Sequence, residues 1–136
     1  MKKIENYIHG KIISNSTKEQ SVYDPSTGEE VSRVVLSNLD DFNKVIESSK
    51  KAQIQWAEFT PLKRSRIISK FKNLIEKNIK ELAESISKEH GKTLDDAIGS
   101  VTRGLEVVEF ACGIPQLLKG EFSQNVGTNI DSWSVR

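Results

Sequence analysis

The chain has 136 residues, of which 36% are hydrophobic and 29% are charged, values that fit one soluble globular domain or a piece of a larger one. Lys and Arg number 20 and Asp and Glu number 19, so the net charge of +1 provides no general attraction for nucleic acids or anionic membranes. The single cysteine excludes an internal disulfide and suits a reducing compartment. Because no apolar run approaches the roughly 20 residues that span a bilayer, and none follows the basic N-terminus as in a secretory signal, we expect a cytoplasmic protein.

Residues 4–35 have the pattern of short extended segments. His9-Gly10 lies between two β-prone stretches and predicts a tight hairpin turn, because glycine readily adopts a positive φ. Residues 24–28, Asp-Pro-Ser-Thr-Gly, have the composition of a β-turn and separate two further extended stretches, 22–23 and 31–35. Two short strand pairs bury little apolar surface, so we expect them to lie against another part of the protein.

Residues 38–119 change to a helical period and predict three amphipathic helices. The first begins at the capping residue Asn38, and Thr60-Pro61 begins the second with a cap and a proline at the first helical position. We expect the second helix to run without interruption to Gly91, which can end it in the left-handed conformation. Thr93 then caps the third helix. The core-facing positions of the third helix follow three- and four-residue steps: Leu94, Ala97, Ile98, Val101, Leu105, Val108 and Cys112.

Residues 121–136 are polar, with a few apolar side chains scattered among Ser, Asn and Gly. This segment predicts one or two strands, but no other part of the chain offers an evident partner for them. A terminal strand without a partner indicates pairing with another subunit or with sequence outside this chain. We therefore expect self-association through residues 121–136.

The residues that commonly carry chemistry do not form a catalytic or metal-binding pattern. Cys112 is the only thiol, and it falls late in a helix on the apolar stripe, whereas a reactive thiolate favours a helix N-terminus or a nearby base. We interpret Cys112 as a small buried apolar residue. His9 and His90 lie far apart, with no second His or Cys at ligand spacing, so we expect no metal site.

Two further motifs have ordinary explanations. The basic cluster at residues 63–66 is followed by glutamates on the same helix and lacks interleaved aromatic residues, which favours a solvated helix start over a nucleic-acid site. Gly91, Gly99 and Gly104 do not form a dinucleotide fingerprint, because two of them lie inside a helical pattern rather than between a strand and a helix. We expect Gly99 and Gly104 to serve close packing or access.

Arg103 is the most informative charged residue. It lies off the apolar stripe of the third helix, beside Gly104, and a guanidinium can bind a carboxylate through two parallel hydrogen bonds. The alternative is an ordinary ion pair with Asp96, Glu106 or a neighbouring helix. The spacing alone leaves both interpretations open.

Four motifs, in order along the chain, resemble the N-terminal part of an aldehyde dehydrogenase. Residues 7–11 are similar to its opening hairpin, and residues 23–29 to its Asn/Asp-Pro-x-Thr-Gly-Glu turn. Residues 56–66 resemble its tryptophan–proline–arginine helix junction, and residues 89–93 its Glu-x-Gly-Lys segment. Within that superfamily, the stretch from Gly104 to Cys112 most resembles the methylmalonate-semialdehyde dehydrogenases, which acylate coenzyme A.

The resemblance implies a mixed α/β fold: N-terminal β-hairpins (4–35), three helices (38–119) and an oligomerisation strand segment (121–136), as an incomplete Rossmann-type domain. It also implies oxidation of methylmalonate and malonate semialdehydes with NAD and transfer of the acyl group to coenzyme A, with loss of carbon dioxide. Arg103 is expected to bind the substrate carboxylate. In the family, the nucleophilic cysteine, the oxyanion-hole asparagine and the main nicotinamide-binding elements follow the point that corresponds to Arg136.

We therefore expect residues 1–136 to be an N-terminal segment without a catalytic residue or a cofactor site of its own, and to be inactive alone. The alternative is a stand-alone helical oligomerisation or regulatory module derived from an aldehyde dehydrogenase. A nucleic-acid binder fits poorly with the near-zero net charge.

Overall fold

Short strands flank a helical region in the computed structural model, which describes residues 2–136. The N-terminal strands are β1 (Lys2–Ile4), β2 (Tyr7–Ile8), β3 (Lys11–Ile12), β4 (Glu19–Tyr23) and β5 (Glu30–Val35). The helices are α1 (Leu39–Glu58), α2 (Pro61–Lys77), α3 (Ile79–His90), α4 (Leu94–Cys112) and the short α5 (Ile114–Leu117). The C-terminal strands are β6 (Glu121–Gly127) and β7 (Ile130–Ser134). This arrangement is the mixed α/β fold predicted from the sequence.

Both predicted N-terminal strand pairs are present. β2 and β3 are antiparallel around His9 (φ 52°) and Gly10 (φ 74°). β4 and β5 are antiparallel, and the turn between them is closed by the Asp24 carboxylate, which accepts hydrogen bonds from the backbone N–H groups of Ser26 (2.7 Å) and Thr27 (3.3 Å). The sequence did not predict β1, which pairs in parallel with β5 and completes a three-stranded sheet of order β1-β5-β4.

Asp41 joins the N-terminal strands to helix α1. Its carboxylate accepts hydrogen bonds from the backbone N–H groups of Asn15 (2.6 Å), Ser16 (3.2 Å) and Asn38 (3.1 Å). In return, the Asn38 side chain accepts from the Asp41 N–H, so the predicted cap is a complete capping box. These bonds, led by the one from Asn15, hold the pKa of Asp41 below its ordinary value of 3.8.

We predict that this carboxylate makes the stability of the chain sensitive to acid. A depressed folded-state pKa contributes stability above the unfolded value, and that stability is lost as the pH falls below about 3.9 toward the folded pKa. The free energies of unfolding in urea of the wild type and of Asp41→Asn should therefore differ clearly at pH 6. The difference should shrink between roughly pH 4 and pH 2. Asp40→Asn is the matched control, because Asp40 is exposed in the same helical turn. A constant difference across this range would contradict the prediction.

The prediction of one uninterrupted second helix is wrong, because Asn78 separates α2 from α3. Asn78 has φ −112° and ψ 16°, and its side-chain amide donates to the Leu74 carbonyl at 2.7 Å. Asparagine offers the backbone a local alternative to helical hydrogen bonds, which is why it favours helix ends. The predicted caps at Thr60, Gly91 and Thr93 are confirmed.

The interpretation of residues 121–136 as a segment without an internal partner is also wrong. β6 and β7 pair with each other in antiparallel register, with Phe122 opposite Trp133 and Gly127 opposite Ile130. Asn129 takes a positive φ of 61° in the two-residue turn, and the register shifts between Ser123 and Gly127. The hairpin packs mainly on itself.

The buried apolar core of the described residues is small. It consists of Val35, Ala83 and Ala97, and the two alanines are completely inaccessible where α3 packs on α4. Large apolar side chains are exposed on α1, α2, α4 and the C-terminal hairpin, and Phe42 and Trp133 are examples. Exposed apolar surface on this scale is typical of a surface that contacts another polypeptide segment. No helix in residues 2–136 is long and apolar enough to cross a membrane.

Candidate functional site

Helix α4 positions Arg103. The helix starts at Thr93, whose hydroxyl accepts a hydrogen bond from the Asp96 N–H at 3.4 Å, and it packs on α2 and α3. The apolar stripe predicted to face the core is buried or half-buried along its whole length: Leu94, Ala97, Ile98, Val101, Leu105, Val108 and Cys112. Arg103 lies outside this stripe and is exposed.

The guanidinium of Arg103 contacts a hydroxyl rather than a carboxylate. Its Nη2 donates to Ser100 Oγ at 3.3 Å, and the ion pairs found among residues 2–136 do not include Arg103. Asp96, one predicted alternative partner, instead pairs with Lys92 at 2.9 Å. This hydrogen bond from Lys92 is the main reason why the pKa of Asp96 lies below its ordinary value. The guanidinium therefore keeps its charge available to an incoming anion.

Apolar side chains continue the face that carries Arg103. Val107 and Phe110, four and seven residues further along α4, are each 69% exposed. Gly104 leaves open space on α4, because a Cβ built there would meet no atom of another segment within 4 Å. The expected close packing at Gly104 is thus not made within the described chain, whereas access is open. A helix face that carries a guanidinium and, further along, two apolar side chains can bind a small carboxylate that also carries an uncharged part.

An open groove of about 480 Å³ lies between α2, α3 and α4. Its lining is almost wholly apolar and includes Phe71, Leu82 and Leu105. Since no titratable side chain lines it, the groove offers contact surface rather than chemistry.

The other chemistry-bearing residues have structural roles. Cys112 is half-buried; its Sγ donates to the Val108 carbonyl at 3.4 Å, and its own carbonyl accepts from Ser65 Oγ at 2.6 Å. His9 is exposed in the β2–β3 turn, and His90 is exposed at the end of α3. In the part of the chain that the structure describes, no group of three or more His, Cys, Asp or Glu side chains is arranged to hold a metal ion.

Two basic residues of α2, Lys63 and Lys72, are engaged locally. Lys63 Nζ lies 3.5 Å from the centre of the Phe59 ring, a cation–π contact. Lys72 pairs with Glu76 at 2.7 Å and with Glu109 of α4 at 3.5 Å, and the bond to Glu76 is the main reason why the pKa of Lys72 is raised. These contacts agree with a solvated helix surface rather than a phosphate-binding one.

Sequence reasoning missed Lys92 and Ser100 as members of the site. For Ser100 the signal was present in the helical spacing, because positions 96, 100 and 103 are four and three residues apart and share one face of α4. Lys92 precedes the helix, so only the folded loop shows that its side chain reaches Ser100.

The fold and its motifs define a member of a known enzyme family. The chain belongs to the aldehyde dehydrogenase family, whose model matches residues 12–136. A malonate-semialdehyde dehydrogenase of Pseudomonas aeruginosa is 41% identical over 131 residues, covering 96% of this chain and 26% of the relative. A Drosophila melanogaster protein described as a probable methylmalonate-semialdehyde/malonate-semialdehyde dehydrogenase is 42% identical over 130 residues, covering 95% of this chain and 25% of the relative.

Solved structures give the same result. A Sinorhizobium meliloti protein, crystallised with NAD and assigned as a methylmalonate-semialdehyde dehydrogenase, superposes with a TM-score of 0.93 at 43% identity, over 100% of this chain and 28% of that one. A methylmalonate-semialdehyde dehydrogenase of Oceanimonas doudoroffii superposes with the same TM-score at 41% identity, over 99% and 28%. The predicted family resemblance is confirmed, and the chain spans about a quarter of the length of the curated relatives it matches.

Proposed function

We propose that residues 1–136 act as the N-terminal segment of an NAD-dependent, coenzyme-A-acylating methylmalonate- or malonate-semialdehyde dehydrogenase, and that Arg103 binds the substrate carboxylate. The observation that carries the proposal is the guanidinium of Arg103, which is exposed on α4 and paired with no carboxylate of the described chain. The relatives named for these two semialdehydes, at 41% and 42% identity, support the choice of substrate.

The chemistry of the substrate explains why an arginine is useful here. Malonate semialdehyde carries a carboxylate and an aldehyde on one carbon, so an enzyme that fixes the carboxylate also fixes the direction of the aldehyde. A guanidinium does this with two parallel hydrogen bonds, which define an orientation as well as a charge. Arg103 would thus orient the substrate, while the attacking thiol belongs to another part of the enzyme.

We propose that the cofactors bind to the part of the enzyme outside the described residues. Nicotinamide supplies the hydride acceptor in this class of reaction. Gly99 and Gly104 lie inside α4 rather than between a strand and a helix, so they do not build a dinucleotide loop. We therefore expect NAD and coenzyme A to bind outside residues 1–136, and this segment to be inactive alone. The single cysteine suits a reducing compartment, and we propose the cytoplasm.

The proposal predicts a difference between the isolated chain and a completed enzyme. The chain alone, given malonate semialdehyde, NAD and coenzyme A, should form no NADH. A hybrid in which residues 1–136 replace the matching 28% of the Sinorhizobium meliloti relative should form NADH. Absorbance at the NADH band measures both. Turnover by the isolated chain would overturn the proposal, and a folded hybrid without activity would count against it.

We also propose that the chain associates with itself through residues 121–136. Phe122, Val126, Ile130, Trp133 and Val135 are all exposed, and each strand of a two-stranded hairpin has an unpaired edge. Sedimentation should show a dimer or larger oligomer that dissociates at least tenfold more readily in Trp133→Ser, since burying a large aromatic side chain contributes about 2 kcal/mol. An unchanged association constant would contradict this role.

A melting experiment addresses the alternative, a stand-alone oligomerisation or regulatory module. The feature that favours a module is the self-contained pairing of β6 with β7. Association through residues 121–136 is expected in both cases, so the transition decides: one cooperative melting transition supports a module, whereas a loosely packed or aggregating chain supports a segment that needs the rest of the enzyme.

A further inference from the structure

The hydroxyl of Ser100 lies at the centre of a small polar cluster on α4. It donates to the Asp96 carbonyl at 3.2 Å and accepts hydrogen bonds from Lys92 Nζ at 2.9 Å and from Arg103 Nη2 at 3.3 Å. A hydroxyl has one proton and two lone pairs, so all of its hydrogen-bonding capacity is used. Because the proton is committed to the helix backbone, both lone pairs face the two cations.

Lys92 fixes Ser100 from the loop between α3 and α4. The Lys92 side chain is only 18% exposed, and its ammonium also pairs with the Asp96 carboxylate at 2.9 Å. The Lys92 carbonyl accepts a hydrogen bond from Ser87 Oγ of α3 at 2.7 Å, which anchors the loop itself. The cluster therefore connects Arg103 to the α3–α4 junction rather than to α4 alone.

The arginine folds back along the helix past Gly99. A Cβ built on Gly99 would lie 4.0 Å from Arg103 Nη1, an ordinary van der Waals contact, so the guanidinium lies close to Gly99 as well as to Ser100. Of the five N–H donors of the guanidinium, the hydrogen bonds found in residues 2–136 use one, on Nη2. Its remaining donors are available for a bidentate contact with a carboxylate.

We propose that Ser100, held in place by Lys92, is a positioning residue that sets the orientation of the Arg103 guanidinium for carboxylate binding. This inference rests on the proposed function of Arg103. An exposed arginine side chain loses conformational entropy when it binds a ligand. A hydrogen bond that already restricts the side chain in the free protein reduces this loss and strengthens binding. Ser100 touches neither end of the substrate in this scheme, and it acts through the arginine.

The test uses the full 136-residue chain and two measurements on each variant. The first is the ¹⁵N order parameter of the Arg103 Nε–Hε group, which reports guanidinium mobility without any ligand. The second is a titration with malonate, which serves as the carboxylate probe. Ser100→Ala should lower the order parameter below about 0.6 and weaken malonate binding by about threefold to tenfold.

Two variants separate positioning from general structural effects. Ser100→Thr keeps a hydroxyl at the same place, so its Arg103 order parameter and its malonate affinity should both stay close to those of the wild type. Thr102→Ala is the matched control, because the Thr102 hydroxyl makes the same type of bond to the Ile98 carbonyl of α4, at 2.9 Å, and does not hydrogen-bond the Arg103 side chain. It should leave both values unchanged. Alanine is the best helix former, so the Ser100→Ala helix is expected to stay intact.

The outcomes distinguish this inference from the proposed function. An unchanged order parameter in Ser100→Ala, or equal changes in Thr102→Ala, would overturn the positioning role. If malonate fails to bind a wild-type chain whose circular dichroism shows folded helices, or binds Arg103→Ala equally well, the carboxylate role of Arg103 is wrong. The order parameter still decides whether Ser100 restrains the guanidinium in that case, because it needs no ligand.

Discussion

Replacing Arg103 with alanine in the hybrid enzyme is expected to lower kcat/KM for malonate semialdehyde by about 100-fold, which corresponds to about 2.7 kcal/mol of transition-state binding. Hydrogen bonds to charged groups contribute about 1.5–3 kcal/mol each, and a bidentate pair also fixes the direction of the aldehyde. Propanal has a similar chain without the carboxylate, so its kcat/KM should change by less than about threefold. Steady-state kinetics with both aldehydes make the comparison.

Two further variants refine the Arg103 experiment. Arg103→Lys keeps the positive charge but loses the planar, bidentate donor geometry of the guanidinium. Its kcat/KM for malonate semialdehyde should therefore lie between those of the wild type and Arg103→Ala. Arg66→Ala removes another exposed arginine, on α2, and should affect neither substrate. Equal losses with malonate semialdehyde and propanal in Arg103→Ala would contradict a carboxylate role and would indicate damage to the helix.

Replacing Gly91 with alanine is expected to reduce the free energy of unfolding of the chain by about 2–3 kcal/mol, because two costs combine. Gly91 caps α3 with φ +79°, a conformation that L residues with a side chain rarely adopt. A Cβ at this position would also lie 2.8 Å from Cγ and 3.3 Å from Cβ of Pro25. Urea unfolding followed by circular dichroism measures the loss.

Gly28 supplies the control that separates the two costs. It has φ +75°, but a Cβ there would meet nothing within 4 Å, so Gly28→Ala should cost only about 1 kcal/mol. Adding Pro25→Ala to Gly91→Ala should recover the steric part of the loss. If Gly28→Ala and Gly91→Ala are equally destabilised, the contact with Pro25 contributes nothing.

The contact between Pro25 and Gly91 has a consequence for the candidate site. It brings the β4–β5 turn against the end of α3, next to the loop that holds Lys92. Lys92 contacts Ser100, and Ser100 contacts Arg103, so a series of contacts joins the β4–β5 turn to the guanidinium through segments that are well separated in the sequence.

Much of the local structure could be predicted from the sequence, because short-range physical rules decide it. The turns at His9-Gly10 and at residues 24–28, the caps at Asn38 and Thr60, and the left-handed end of α3 each depend on a few neighbouring residues. The exposed position of Arg103 followed from helical spacing alone.

Three elements were not predicted correctly from the sequence: the break between α2 and α3, the pairing of β6 with β7, and strand β1. The apolar period of α2 continues across Asn78 into α3, so it concealed the break that the Asn78 side chain makes. The β6–β7 turn lacks an Asn-Gly or Asp-Gly pair, the strongest hairpin signal, and its pairing therefore went unrecognised. Strand β1 has three residues, too few to show a period, and its partner β5 is far along the chain.

By itself, the sequence determined most of the local elements, the family and the candidate arginine, because caps, turns and periodic apolar positions are properties of neighbouring residues and the family motifs can be recognised in order along the chain. Only the tertiary structure decided how the arginine is held. Lys92 lies outside α4, and the loop must fold before its ammonium can meet both Asp96 and Ser100. Likewise, only the folded chain shows that the partner of Arg103 is a hydroxyl and that its charge remains available to a ligand.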